Sequence, residues 1–253
     1  MNIPKLKNCV LGFILVGVAV LNSSAQMPGA GSPAGMSAAM VKLFGDIKAF
    51  TAKAEVQVLD GSQKQLALMP MDFALLDGSI RVEMDMTQVK NSSMPPGAAA
   101  QLKQLGMAQV ISVVRPDKKT IYVIYPDQKI YLNMPMPKED AEAAQKTPKI
   151  QKTALGKDTL DGHACVKNKT LISDDRGNSV EATTWNATDL KDFPVQIQTQ
   201  ENQATSLVRF KQIQFTKPEL KQFEPPPGYT QYTNQWELQQ AVMKKMMPDA
   251  GKK

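Results

Sequence analysis

Histidine is almost missing from this chain: its 253 residues contain one, His163. That scarcity removes the base on which most nucleophilic and metal-assisted chemistries depend. There is also no G-x-S-x-G elbow, no H-E-x-x-H pair and no glycine-rich phosphate loop. Catalysis is therefore not expected, and neither is a bound cofactor. Cysteine is nearly as rare, with only Cys9 and Cys165. Cys165 lies between Ala164 and Val166 in a strand-like run, so it reads as a small buried hydrophobe. His163, two residues earlier, would share a strand face with it, but a nucleophilic pair also needs an orienting group and a pocket. Aromatic residues make up 6% of the chain and no basic stripe interleaves with them, which argues against a nucleic-acid partner.

Long apolar runs are missing as well, with one exception. Lys5 and Lys7 precede the apolar stretch Val10–Leu21, and small residues follow at Ser23 and Ala25. This is the pattern of a secretory signal peptide over residues 1–25, cleaved before Gln26, and it predicts a periplasmic or secreted protein. The run is too short for the roughly 20 residues of a membrane span. Cleavage would remove Cys9 and leave Cys165 without an intramolecular partner. It would also lower the formal net charge of +6 by the two lysines. The remaining positive excess is scattered and densest at Lys244, Lys245, Lys252 and Lys253, enough for weak attraction to an anionic membrane surface.

What the chain does have is alternation. Residues 26–35, rich in Gly, Pro and Ala, read as a flexible leader. Met40, Leu43, Phe44 and Ile47 recur at helical spacing and predict an amphipathic helix over 36–50. Strand-like runs follow at 54–59, 65–69, 73–76 and 80–86, punctuated by Asp60-Gly61 and Asp77-Gly78, which are strong hairpin signals. A short helix is predicted over 95–107, with Pro96 in its first turn and Gly106 at its end. Residues 109–137 read as three antiparallel strands. In the last of these Ile130, Leu132, Met134 and Met136 form one apolar face. Residues 141–146 read as loop or a helical turn, and further runs cover 150–155, 164–172, 179–185, 195–199 and 207–215. Asp161-Gly162 and 175–178 mark turns between them, and a phase change between Phe210 and Ile213 predicts a bulge. Trp236, Gln239, Val242, Met243 and Met246 predict a closing amphipathic helix within 234–253, followed by a basic tail. The sum is an α+β, mainly antiparallel β chain of about eleven strands, its sheet greasy on one side.

Methionine is the sharper feature. Of 15 in the chain, six form the pairs Met69/Met71, Met84/Met86 and Met134/Met136. Each pair projects to one strand face. Such residues either line a surface that adapts to apolar partners, fill an irregular core, or, with less support, offer thioethers to copper(I). Arg81, Glu83 and Asp85 alternate on the opposite face from Met84 and Met86.

The stretches DGSIRVEMD, VVRPDKKTIYVIYPDQKIYLNMP, LGKDTLDGHACVKNKT, TTWNATDLKDFPVQIQT and FEPPPGY together resemble a bacterial family of secreted proteins of unknown function. That family is itself similar to the outer-membrane lipoprotein carrier superfamily, LolA-like and LolB-like. The resemblance implies an unclosed β-barrel, or half-barrel, over residues 36–233 with helices covering its concave face. It implies a non-enzymatic role in sheltering a lipid, an acyl chain or a lipid-modified partner. It makes Arg81 a candidate latch for the helical lid. The lining expected for such a cavity is Met84, Met86, Ile130, Leu132, Met134 and Met136, with Trp236 and Met243 on the covering helix. An envelope interaction or structural module, with the same face filled as a core, is the competing expectation.

Overall fold

The computed structural model describes residues 41–146, 148–173, 179–201 and 203–246. The expected signal peptide and leader, the turn expected at 175–178, residues 247–253 and the side chain of Met243 lie outside the described residues.

Thirteen strands form one unclosed sheet, two more than the alternation predicts. The first block is β1 (Ala49–Leu59), β2 (Gln65–Leu76), β3 (Ser79–Asp85) and β4 (Lys90–Asn91). Helix α1 (Ala98–Gln104) leads into β5 (Gln109–Arg115), β6 (Thr120–Tyr125) and β7 (Ile130–Pro135). Helix α2 (Lys138–Gln145) precedes β8 (Lys149–Leu160), β9 (His163–Ser173), β10 (Ser179–Ala187), β11 (Phe193–Glu201) and β12 (Ala204–Gln214). The chain closes with β13 (Thr230–Tyr232) and α3 (Gln235–Met246). The strand order is 13-7-6-5-3-2-1-12-11-10-9-8, with β4 paired to β2 beside this path. The extra strands are β4 and β13, too short for a period of two to register.

The runs 65–69 and 73–76 are one strand. β2 passes through Pro70, which still lies opposite Glu55 of β1. On its other side the pairing with β3 ends at Asp72, and that with β4 begins only at Leu68. Proline has no N–H to give a ladder, so it sits in this gap. At the hairpins, Asp77 and Gly78 have φ of 47° and 85°, and Asp161 and Gly162 have 50° and 86°. Both positions of these two-residue turns are left-handed, as tight hairpins need. Asp60-Gly61 instead opens a longer turn, in which the Asp60 carboxylate accepts from the Ser62 and Lys64 amides. The bulge expected near the end of β12 is there: the β1–β12 register shifts between Thr51 and Lys53, and Gln212 has φ of 51°.

The helices differ more. Residues 36–40 of the expected opening helix lie outside the described residues. After them Val41 is α-helical, a 3-10 turn follows at Lys42–Phe44, and strand begins at Ala49, so the helix does not extend to residue 50. α1 begins at Ala98 rather than at Pro96, because Gly97 takes a φ of 83° and places the helix start after it. α2 is helical as one of the two readings of 141–146 allows, and it starts earlier, at Lys138.

Cross-strand rows assign the faces. Phe50, Leu75, Ile80, Val114, Ile121 and Met134 lie opposite one another in turn, as do Ala52, Phe73, Val82, Ser112, Val123 and Leu132. These rows define the inner face. The alternate row Ala74, Arg81, Val113, Tyr122 and Asn133 belongs to the outer face.

Candidate functional site

The inner face has two differently filled regions. Around β1, β2, β11 and β12 five phenylalanines meet: Phe44 from the 3-10 turn, with Phe50, Phe73, Phe193 and Phe210. All are at most 3% exposed, and their ring centroids lie 4.8–6.2 Å apart. Most pairs meet edge to face, the arrangement that the aromatic quadrupole favours. The inner face of β9 and β10 is polar but closed. The Thr170 and Thr184 hydroxyls are 3.0 Å apart, Thr184 donates to Asn186 Oδ1 at 2.7 Å, and Asn186 donates to the Asp192 carbonyl at 2.8 Å. This side is a packed core.

Around β5, β6 and β7 the cover is helical. Leu238 and Val242 of α3 pack with Leu102 of α1, Met107, Val123, Tyr125, Ile130 and Leu132. Met86, Val110, Met134 and Tyr232 pack against this cluster while only half-buried. Burial pushes the Tyr125 hydroxyl pKa up to about 12. Half-buried Met69, Met84 and Val114 pack against the neighbouring phenyl cluster. An interrupted strip of half-buried methionine and valine thus lies on the inner face. Met69, Met84, Met86 and Val110 are on one side of the buried row Val82, Ser112, Val123 and Leu132, and Val114 and Met134 are on the other. At the start of β2 a cleft of about 440 Å³ opens between Leu66, Val89, Met94 and Pro95, with Lys90 and Asn91 also lining it. Its volume is within the range of small-molecule sites.

The expected lining residues separate on this frame. Met86, Ile130, Leu132 and Met134 come together beneath α3, and Met84 packs against the other cluster. Met136, 7% exposed, lies just past β7, where its N–H donates to the Lys119 carbonyl at 2.9 Å. Trp236 does not face the sheet. It stands 68% exposed, because the buried stripe of α3 is Leu238 and Val242, out of phase with it. The three methionine pairs do not converge as a thioether site would require, since β5 and β6 separate Met134 from Met84. Among the described residues no three His, Cys, Asp or Glu side chains group to hold a metal ion.

Arg81 lies on the outer face, where Nη2 donates to the Glu83 carboxylate at 2.7 Å, so it does not reach the helices over the inner face. The arginine that holds a covering segment is Arg115, missed in the sequence. Residues 215–229 cross the outer face and bury Phe223 completely against Ala74, Leu76, Val113, Tyr122 and Ile124. Arg115, 5% exposed in its side chain, ion-pairs with Glu224 of this strap, donates to the Phe223 carbonyl at 3.3 Å and grips Asp117 at 2.6 Å. Its hydrogen bond to Asp117 raises the guanidinium pKa further and holds the Asp117 carboxyl below the usual carboxylate range. Glu224 also meets Lys118 at 2.6 Å. The strap then runs parallel to β7 as β13, the one parallel pairing described, and turns into α3, whose Glu237 amide is capped by the Asn234 side chain at 2.8 Å. The C-terminal segment therefore wraps the β7 edge from outer face to inner. VVRPD and FEPPPGY carried the signal, a basic residue and an acidic one in separate motifs, but nothing local showed that they meet.

His163 and Cys165 do not form a reactive pair. The His163 ring faces Asp189 at 2.7 Å, while the Cys165 thiol donates to the His163 backbone carbonyl at 3.4 Å. Cys165 is 2% exposed, and burial raises its thiol pKa, the opposite of what a nucleophile needs. No helix among the described residues is long and apolar enough to cross a membrane.

No family model matches the chain, and neither does any curated protein. Solved structures align with it at low identity, and they include a protein of the LolA superfamily. A LolA superfamily protein from Nitrosomonas europaea is 9% identical, with 75% of this chain and 98% of that one covered at a TM-score of 0.39. The lipoprotein LppX from Mycobacterium tuberculosis is 12% identical, covering 69% and 91% at 0.39. LprF from Mycobacterium bovis is 15% identical, covering 72% and 93% at 0.36.

Proposed function

We propose that the protein is a non-enzymatic binding protein of the periplasm or the extracellular space that shelters an acyl chain, free or on a lipid-modified partner, on its inner face. One observation carries this reading: Met69, Met84, Met86 and Met134, with Val110 and Val114, are left half-buried between two buried clusters. A strip of this kind gains about 25 cal/mol for each Å² of apolar area that a ligand covers, and methionine, unbranched and with three rotatable bonds, adapts to chain shape. Leu238 and Val242 make α3 a cover for this seat. Positive charge beyond the helix would add weak attraction to an anionic membrane.

Native mass spectrometry of protein purified from its source is expected to show co-purifying lipid, and a fluorescent fatty-acyl probe should bind. Met84→Glu should weaken the probe more than tenfold, whereas Met84→Leu should bind within threefold of the parent. No bound lipid and no probe binding would leave the second reading, an envelope interaction module with a filled inner face, which the phenyl plug favours.

A further inference from the structure

Ser112 is the one residue among those described whose buried side-chain polar atom has no hydrogen-bond partner. It is 3% exposed and lies midway along β5 on the inner face. Across the strands it is opposite Val82, which belongs to the phenyl-side cluster, and Val123, which belongs to the cluster beneath α3. Along β5, half-buried Val110 and Val114 flank it in the same phase. Asn168, Thr170, Thr184 and Asn186, also buried on this face, have partners. A buried hydroxyl without a partner is costly, and nearly all such groups in folded proteins find one.

The rows through and beside Ser112 carry no charged residue from β1 to β7. A carboxylate placed there would be buried without a counter-ion, which is unfavourable. A neutral acceptor has no such cost. We propose that the Ser112 hydroxyl donates to the carbonyl oxygen of an acyl ester whose hydrocarbon lies along the methionine and valine strip. Ser112 then sets the depth at which the chain seats and selects acylated ligands over plain hydrocarbons. The inference rests on the acyl-chain reading above and adds the ligand's functional group.

The test uses two probes of matched length, monomyristoylglycerol and its ether counterpart 1-O-tetradecylglycerol, with the parent protein and Ser112→Ala. The parent is expected to prefer the ester. Ser112→Ala should weaken the ester about three- to tenfold, the worth of one neutral hydrogen bond, and leave the ether within twofold. The same variant without ligand should melt higher, since it removes an unsatisfied buried group. A diacylated lipopeptide used as a third probe tells a protein-borne ester from a glycerolipid one by which binds tighter, and either supports the assignment if Ser112→Ala weakens it. Equal effects on ester and ether, or none on either, would overturn the role of Ser112 while leaving the apolar seat standing. Failure of the parent to bind any probe would overturn both.

Discussion

The two ends of the inner face are built from the same sheet but closed by different means. At the β1–β12 end five phenyl rings, each at most 3% exposed, fill the space with one another, four from strands and Phe44 from a 3-10 turn. At the β5–β7 end the sheet is closed by α1 and α3, and methionines and valines remain half-buried at the seam. Interlocked rings cannot be displaced without opening cavities. A twelve-residue helix with two fully buried side chains, joined to a three-residue strand, can be displaced at far smaller cost. The first end is built as core and the second as cover.

The largest effect expected follows from that contrast. Phe193→Ala should lower global stability by about 3–5 kcal/mol, as buried aromatic truncations do, because Phe193 is 0% exposed and touches Phe44, Phe50 and Phe210. Leu238→Ala in α3 should shift the denaturation midpoint less and instead speed hydrogen exchange in α3 alone. Equal midpoints for the two variants would mean that α3 is as much core as the phenyl plug.

Much of this architecture was legible in the sequence. The Asp-Gly turns at 77–78 and 161–162, the bulge in β12 and the inner phase of Met84, Ile130, Leu132 and Met134 all follow from spacing, because a side-chain period of two and a positive φ are local properties. Long-range pairings were not legible. Arg115 and Glu224 are 109 residues apart, and only the crossing of the strap brings them together. Trp236 was misplaced because a helix containing Trp236, Leu238, Val242 and Met243 supports two overlapping stripes, and the neighbouring sheet selects between them. The phenyl plug was missed because its rings come from four strands and a turn that no single window contains.

The next largest effect is alkaline. The folded Tyr125 hydroxyl titrates near 12, against an ordinary value near 10, so the unfolded chain loses this proton first as pH rises. The stabilisation is complete below about pH 10 and is lost through pH 12, on the order of 2–3 kcal/mol. Denaturant melts at pH 9 and 11.5 should show the loss, and Tyr125→Phe should remove this part of it. The strap comes next. Arg115→Ala frees the Phe223 carbonyl and leaves Glu224 with Lys118 alone, which should cost about 1–3 kcal/mol and open residues 219–224 to proteolysis. Acid should mimic it. The Asp117 carboxyl is held below its ordinary value, so its contribution is present above the usual carboxylate range and fades as pH falls through the lowered one.

The smallest effect tests the helix phase itself. If α3 is seated by Leu238 and Val242, then Trp236, 68% exposed, adds little to folding, and Trp236→Ala should change stability by no more than about 0.5 kcal/mol. Its fluorescence in the parent should be red-shifted and open to quenching by iodide, in contrast to Trp185, which is 5% exposed and donates to Asp158 at 2.9 Å. Displacement of α3 by an acyl ligand would change the surroundings of Trp236 and leave those of Trp185 fixed. A single-tryptophan variant, Trp185→Phe, therefore reports on the cover alone. An unchanged Trp236 spectrum at saturating ligand would mean that the chain binds without moving α3.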